Sequence, residues 1–317
     1  MSGAETRPFA FIIHPIDVRR DVARRYPALG LLPVRTIEWL LKHRSPIPVA
    51  NVTGIRSATG AETHGWLIGC PLSPRQFVEL PVEFVYSKLE QCGRIAEELG
   101  AAIVGLGAFT SVVGDGGITL AQRLRIAVTT GNSYTVRSAI EGVQTASELM
   151  GIEISSAQAA VVGASGSIGA TCAELLGRSA ASVALIGRSL NRLEELAERL
   201  RPTVKASVSV HSDVESGLRD ADIIVTVSSA AEAVIEPQHL KKGCVVCDVA
   251  RPRDVSVRVA RERNDVLVIE GGVVRVPGAM QCTKFGTATP FSFGFPPGTA
   301  YACMSETMAL SLEGRYE

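Results

Sequence analysis

The chain reads as an α/β protein whose second half is a doubly wound parallel sheet, and three observations predict it. Short apolar runs alternate with helical patterns through Ala159–Val162, Ser182–Ile186, Ala206–Val210, Asp222–Val227 and Cys244–Asp248. Gly163, Gly166 and Gly169 follow the first of these runs directly, and Ser167–Leu176 continues with helical spacing. The residues before them carry strand and helix patterns of their own, and a last helical pattern closes the chain. The expected layout is an N-terminal α/β substrate domain over 1–150, a Rossmann-type domain over 151–283, and a C-terminal loop and helix over 284–317.

Taken in order, Phe9–His14 is a first strand, and the Arg-rich Asp17–Arg25 has the charge of a solvated helix face. Val34–Lys42 is amphipathic and stops before Pro46 and Pro48. Val49–Ser57 and Thr63–Cys70 flank a Gly-containing turn as a β-hairpin, which either walls a groove or extends a sheet. Pro81–Leu99 is a long helix with Phe84, Leu89, Cys92, Ile95 and Leu99 as its apolar stripe. Ala101–Gly107 is a buried strand, and the loop after it places Phe109, Thr110 and Ser111 at the carboxyl edge of a sheet, where ligands of open α/β sheets bind. Ordinary turn chemistry explains the same residues equally well. Arg125–Thr130 ends a further strand in TTGNSYT, which offers Thr130 and Ser133 as hydroxyl donors; Asn132 or Ser133 also suits the cap of the helix that runs to Met150.

The glycine turn then sets the chemistry of the second domain. Gly163 allows a tight turn, Gly166 lets backbone approach a pyrophosphate, and Gly169 lets the helix pack on its strand. Ala164, Ser165, Ser167 and Ile168 complete a loop that delivers free N–H groups to the anion. Enzymes that prefer NAD place an acid after the second strand, at the ribose 2′-OH. This chain has Arg188 and Ser189 there, with Arg192 one turn on, which suits a 2′-phosphate and predicts NADPH. The alternative is two solvated arginines at a helix start. Val227 and Ser228, in TVSSA after a later strand, are expected at the floor of the nicotinamide ribose. Val266–Ile269 and Val273–Val276 finish the sheet and lead out of it. Lys284–Gly298 is Phe/Pro/Gly-rich, a lid or covering loop, and Thr299 is the expected N-cap of the last helix.

Composition narrows the classes. The 317 residues carry 32 Lys+Arg and 32 Asp+Glu, so no overall field favours nucleic acid. The sequence offers no apolar run long enough to span a bilayer and no signal-peptide layout at its start, so a cytoplasmic location is expected, and self-association is compatible with it. Seven scattered cysteines suit reduced thiols rather than a disulfide framework. Cys244 and Cys247 have metal-like spacing, but three residues apart on a strand they face opposite ways, so no metal is expected. Cys303 lies in the first turns of the last helix, where free N–H groups and the positive helix end favour a thiolate nucleophile. Space filling is the alternative there.

Several separated blocks, in order, resemble the long-chain acyl-[acyl-carrier-protein] reductases that form fatty aldehydes, best known from cyanobacteria. They are VTGIRSATG (52–60), GLGAFTSVV (105–113), TTGNSYT (129–135), VVGASGSIG (161–169), GRSLNRL (187–193), GGVV (271–274) and YACMSETMALSLEGR (301–315). The resemblance implies NADPH, a long acyl thioester carried by acyl carrier protein or coenzyme A, and a cysteine that holds the acyl group, which falls on Cys303. Phe109, Thr110, Thr130 and Ser133 are candidates to contact the substrate, the three hydroxyls also to stabilise the oxyanion. Two rivals remain. One is a shikimate-dehydrogenase-like oxidoreductase on a small polar alcohol, disfavoured because GLGAFTSVVGD has no Lys. The other is a non-catalytic NADPH-binding regulatory protein.

Overall fold

A computed structural model of the chain describes residues 6–230, 232–292, 294 and 296–316; Phe293 and Phe295 of the expected covering loop lie outside them. Contacts divide the chain into two units, Met1–Gly131 with Val274–Glu317, and Asn132–Val273. Among the described residues no helix is long and apolar enough to cross a membrane.

The first unit is built on β1 (Phe9–Ile13), whose FAFII run is apolar throughout because both of its faces are covered. From its end the chain forms α1 (Val18–Arg25), capped by the Asp17 carboxylate on the Arg20 N–H, and α2 (Val34–Lys42). The expected hairpin is β2 (Ile47–Arg56) against β3 (Glu62–Gly69). Next come α3 (Pro74–Glu79), opened by a Ser73/Gln76 capping box, and α4 (Val82–Glu98). The buried residues of α4 include Val85, Tyr86, Leu89, Cys92 and Ala96, so Leu89 and Cys92 of the expected stripe face inward while Phe84 is exposed. The unit's first stretch ends with β4 (Ile103–Gly105), the single turn α5 (Phe109–Val112), α6 (Ile118–Arg123) and β5 (Ala127–Thr129).

The second unit opens with α7 (Asn132–Met150), so its start precedes the boundary expected at 150/151 by the length of this helix. It continues with β6 (Gln158–Val162), α8 (Ser167–Gly177), β7 (Ser182–Ile186), α9 (Leu190–Leu200), β8 (Ser207–His211), α10 (Val214–Leu218), β9 (Ile223–Thr226), β10 (Val245–Asp248), α11 (Val257–Glu262) and β11 (Leu267–Glu270). The six strands are parallel in the order β11-β10-β9-β6-β7-β8. Strand order reverses at β6, and the crevice beyond the carboxyl ends of β6 and β9 is the ligand position of a Rossmann-type sheet. Cys247 packs with Val161, Val183 and Val225 on one face of this sheet, and Cys244 packs with Ala160, Ile224 and Val246 on the other. The two sulfurs therefore diverge as their spacing predicts.

The chain then returns to the first unit through β12 (Val273–Arg275), β13 (Gly278–Lys284), β14 (Thr299–Tyr301) and α12 (Ala302–Leu312). β13 pairs antiparallel with β2 and completes a six-stranded sheet of order β13-β2-β3-β1-β4-β5. The described part of the expected covering loop folds back on β13, with Lys284 N–H donating to Thr289 O at 2.7 Å and Phe291 N–H to Cys282 O at 2.9 Å. Thr299 is not a helix cap: it lies in the β12–β14 ribbon and its hydroxyl donates to Pro296 O at 2.6 Å. Tyr301 occupies the cap position instead. α12 belongs to this unit rather than standing alone, and its Met304 and Met308 pack on Phe9, Phe11, Leu67 and Ile103.

Candidate active site

The dinucleotide cradle of the second unit follows from two close approaches and one open position at the end of β6. Gly163 has φ +82°, and a Cβ there would lie 2.9 Å from both Ser228 N and Val227 O. A Cβ at Gly169 would lie 2.4 Å from Gly163 O, so only glycine lets α8 start this close to the turn. A Cβ at Gly166 would meet nothing nearer than Gly163 O at 3.4 Å; its missing side chain leaves the outer side of the loop clear. Gly166 caps α8 with no side-chain acceptor on the first turn, whose N–H groups at Ser167, Ile168 and Gly169 have no intrahelical acceptors. An anion-accepting cradle with an open approach fits a pyrophosphate. Arg188, Ser189 and Arg192 are exposed at the end of β7 and start of α9, and Arg192 Nη2 donates to Ser165 O at 3.1 Å, which sets its guanidinium beside the glycine turn.

Val227 and Ser228 pack against Gly163, but the Ser228 hydroxyl is committed inward. It donates to Asp254 Oδ1 at 2.6 Å, the Ser228 N–H donates to Asp254 Oδ2 at 2.8 Å, and the Thr226 hydroxyl donates to the same carboxylate. Asp254 is fully buried. This carboxylate fixes the loop after β9, and it comes from the loop after β10, far from Ser228 in sequence. The buried Asp248, whose pKa burial pushes up, accepts from Ala250 N and Val255 N and ties the same segment to β10.

The thiol site forms in the first unit at the carboxyl edge of β4 and β5. Cys303 is the second residue of α12 and half-buried. A Cβ at Gly107 would come 3.0 Å from its Sγ, and a Cβ at Gly131, where φ is +72°, would come 2.3 Å from its Cα and Cβ. Two glycines thus seat the start of α12 against the ends of the strands. The Thr129 hydroxyl accepts from Gly131 N–H at 3.3 Å and donates to Glu306 Oε1 at 2.6 Å, which braces the second turn of α12 on β5. The Thr307 hydroxyl donates to Cys303 O at 3.2 Å.

The oxyanion candidates separate. Thr110 is buried and its hydroxyl closes a local turn, accepting from Gly107 N–H at 2.9 Å and donating to Gly107 O at 2.8 Å. Phe109 is a core side chain. Thr130 is half-buried beside Gly131, at the edge that carries Cys303. Ser133 belongs to the second unit, exposed on α7.

Comparison with known proteins places the chain in a family. The pattern of the shikimate/quinate 5-dehydrogenase family matches residues 144–270, inside the second unit. The long-chain acyl-[acyl-carrier-protein] reductase of Synechococcus elongatus is 30% identical over 311 residues, 94% of this chain and 86% of that protein. The chain belongs to the long-chain acyl-[acyl-carrier-protein] reductase family. That places it among the NAD(P)-dependent oxidoreductases. The aminotransferase PigE of Serratia sp. is also 30% identical over 98% of this chain, which spans only 36% of that protein. A glutamyl-tRNA reductase of Acaryochloris marina is 26% identical over 145 residues, 43% of this chain and 32% of that protein.

Among the family member's seven cysteines, burial separates Cys303 from most of the rest. It pushes Cys172 and Cys247 up to about 12 and Cys244 up to about 11, and raises Cys92 and Cys282. Cys70 is fully buried. Sequence reasoning missed Gly107, Gly131, Thr129, Glu306 and Asp254. The glycines and Thr129 lie in motifs already singled out, but their use, contact with a helix that begins only at Ala302, has no local signature. His14 was missed as well. Its ring lies 5.0 Å from Phe77 and 5.9 Å from Phe109, its Nδ1 is 3.1 Å from Pro15 O, and its Nε2 is buried with no hydrogen-bond partner among the described residues. Burial lowers its pKa to about 4.

Proposed function

We propose that the protein reduces a long-chain acyl thioester, carried by acyl carrier protein or coenzyme A, to the fatty aldehyde with NADPH, through an acyl group held on Cys303. The observation that carries this reading is the seat of Cys303: a half-buried thiol at the second position of a helix, against Gly107 and Gly131 at a sheet's carboxyl edge. The name of the Synechococcus relative supports the substrate class. The shikimate/quinate match covers the nucleotide-binding unit and speaks for the cofactor rather than the substrate.

In this reading the Cys303 sulfur attacks the thioester carbonyl. A new C–S bond forms, the bond to the carrier sulfur breaks, and the carrier leaves as a thiolate that takes a proton from solvent. Negative charge passing through the carbonyl oxygen is stabilised by the N–H groups of the first turn of α12 and by the Thr130 hydroxyl. Gly163–Gly169 hold the pyrophosphate, and Arg188, Ser189 and Arg192 hold the 2′-phosphate. NADPH supplies hydride to the acyl carbon when bound. The hemithioacetal on Cys303 then collapses to release aldehyde and regenerate the thiolate. Cofactor oxidation with acyl-carrier-protein and coenzyme A thioesters tests the reading. Wild type consumes NADPH with formation of aldehyde, and Cys303→Ser falls by at least about 1000-fold, the scale of losing a nucleophile. Full aldehyde production by Cys303→Ser would refute the covalent route.

A further inference from the structure

Residues 14–46 leave and re-enter the first unit's sheet at one edge. β1 ends at Ile13 opposite Gly69, and β2 begins at Ile47 opposite the same Gly69. This is the carboxyl edge of β1, β3 and β4, and beyond the end of β4 lies Gly107 with the Cys303 sulfur against it. The segment that carries α1 and α2 therefore leaves and re-enters the sheet at the same edge that carries the thiol.

The excursion has a charge of its own. The whole chain balances 32 Lys+Arg against 32 Asp+Glu, but residues 14–46 hold seven of the former and three of the latter. One of the three, Glu38, is buried: burial pushes its pKa up, but hydrogen bonds from Arg75 and the Ser73 hydroxyl and the charges of Arg75 and Arg35 hold it low. Arg19, Arg20, Arg35 and Arg44 are exposed and make no ion pair among the described residues. Apolar side chains are exposed among them: Leu31 at 88%, Trp39 at 57% and Tyr26 at 50%. On α2 the positions Arg35, Trp39 and Lys42 share one stripe and line a depression of about 250 Å³ with Arg75, Gln76 and Leu80 of the α3 segment; its two carboxylates, Glu38 and Glu79, are both paired with Arg75, which leaves Arg35 and Lys42 as its cations outside those pairs. Cations around an exposed aromatic, in a chain with no net charge, describe a surface for an acidic protein.

We infer that the α2–α3 depression, with the basic face of α1, docks the acidic acyl carrier protein and presents its thioester arm to the edge that holds Cys303. The inference rests on the proposed function, because it takes its partner from the proposed substrate. Two substrates test it: the acyl carrier thioester, and the uncharged acyl-N-acetylcysteamine thioester, which has no protein to dock. In the full chain, Arg35→Glu with Lys42→Glu raises the KM for the carrier thioester about tenfold and flattens its salt dependence, while turnover of the small thioester stays within about twofold. Trp39→Ala acts in the same direction, and the charge-keeping pair Arg35→Lys with Lys42→Arg restores the carrier KM. Titration of acyl-free carrier protein against wild type and the charge-reversed variant reads the same surface without catalysis. If wild type reduced neither thioester but bound the carrier in a charge-dependent way, the proposed function would fail and the surface would stand. An unchanged carrier KM and carrier affinity in the charge-reversed variant would overturn the inference. So would a wild-type dimer that the charge reversal dissociates while carrier affinity is kept, because the face would then join copies of the chain.

Discussion

Burial separates the thiols before any mechanism is considered. Cys172, Cys244 and Cys247 sit in the two cores of the nucleotide-binding sheet, where forming a thiolate means placing a charge among valines and alanines; their pKa values rise to about 12, 11 and 12. Cys303 is half-buried at a helix start. In the proposed reading the arginines after β7 carry the preference for NADPH by a simple charge argument. Arg188→Ala is expected to raise the KM for NADPH by about tenfold or more and to leave that for NADH nearly unchanged, since the two cofactors differ only in the 2′-phosphate. Equal effects on both, in steady-state kinetics, would refute the assignment. His14 makes a pH prediction. Its folded-state pKa of about 4 lies below the ordinary 6.5, so the unfolded chain binds the extra proton first. Its contribution to stability is fully present above about pH 6.5 and is lost progressively as pH falls toward 4. Denaturant titrations at pH 7 and pH 5 are expected to show a smaller drop for His14→Phe than for wild type.

At the scale of elements, the placement of α12 depends on residues that have no side chain. Gly131→Ala adds a Cβ 2.3 Å from Cys303 backbone and side-chain atoms at a position with φ +72°, so either α12 shifts or the turn after β5 does. The expected cost is roughly 1–3 kcal/mol in thermal or denaturant unfolding, with a loss of activity larger than the stability change accounts for. Unaltered activity would show that the thiol's position is not set by this contact. These elements also show what could be read from the sequence. β6, the glycine turn and α8 were legible because strand, turn and helix signals are adjacent in the chain. The divergence of Cys244 and Cys247 was legible from the two-residue period of a strand. The strand β13 was not, because GAMQCTK lacks alternation and finds its partner, β2, more than 200 residues away. The cap of α12 lies two residues beyond the expected Thr299, at Tyr301, because Thr299 has the chemistry of a cap and spends it on Pro296 O within a β-ribbon.

For the whole molecule, the two units divide the work that the proposed reaction needs. The second holds the anion cradle and the loop braced by Asp254; the first holds the thiol and the basic rim. The class of the second unit was legible because a parallel sheet with a glycine turn at its strand reversal is a recurrent nucleotide-binding arrangement. The division itself was less so: the thiol-bearing helix packs with the residues that begin the chain, and that pairing arises from contacts between Met304 and Met308 and the Phe9–Phe11 face, which no local pattern announces. The central claim is that an acyl group on Cys303 is the species reduced. Its most direct measurement is a single turnover: the enzyme is treated with a long-chain acyl thioester without cofactor, freed of excess substrate, followed by intact-protein mass spectrometry, and then given NADPH. The account predicts an acyl adduct on Cys303 that disappears on addition of NADPH with close to one equivalent of aldehyde formed. An adduct that persists, or that yields fatty acid with no NADPH oxidised, would contradict it.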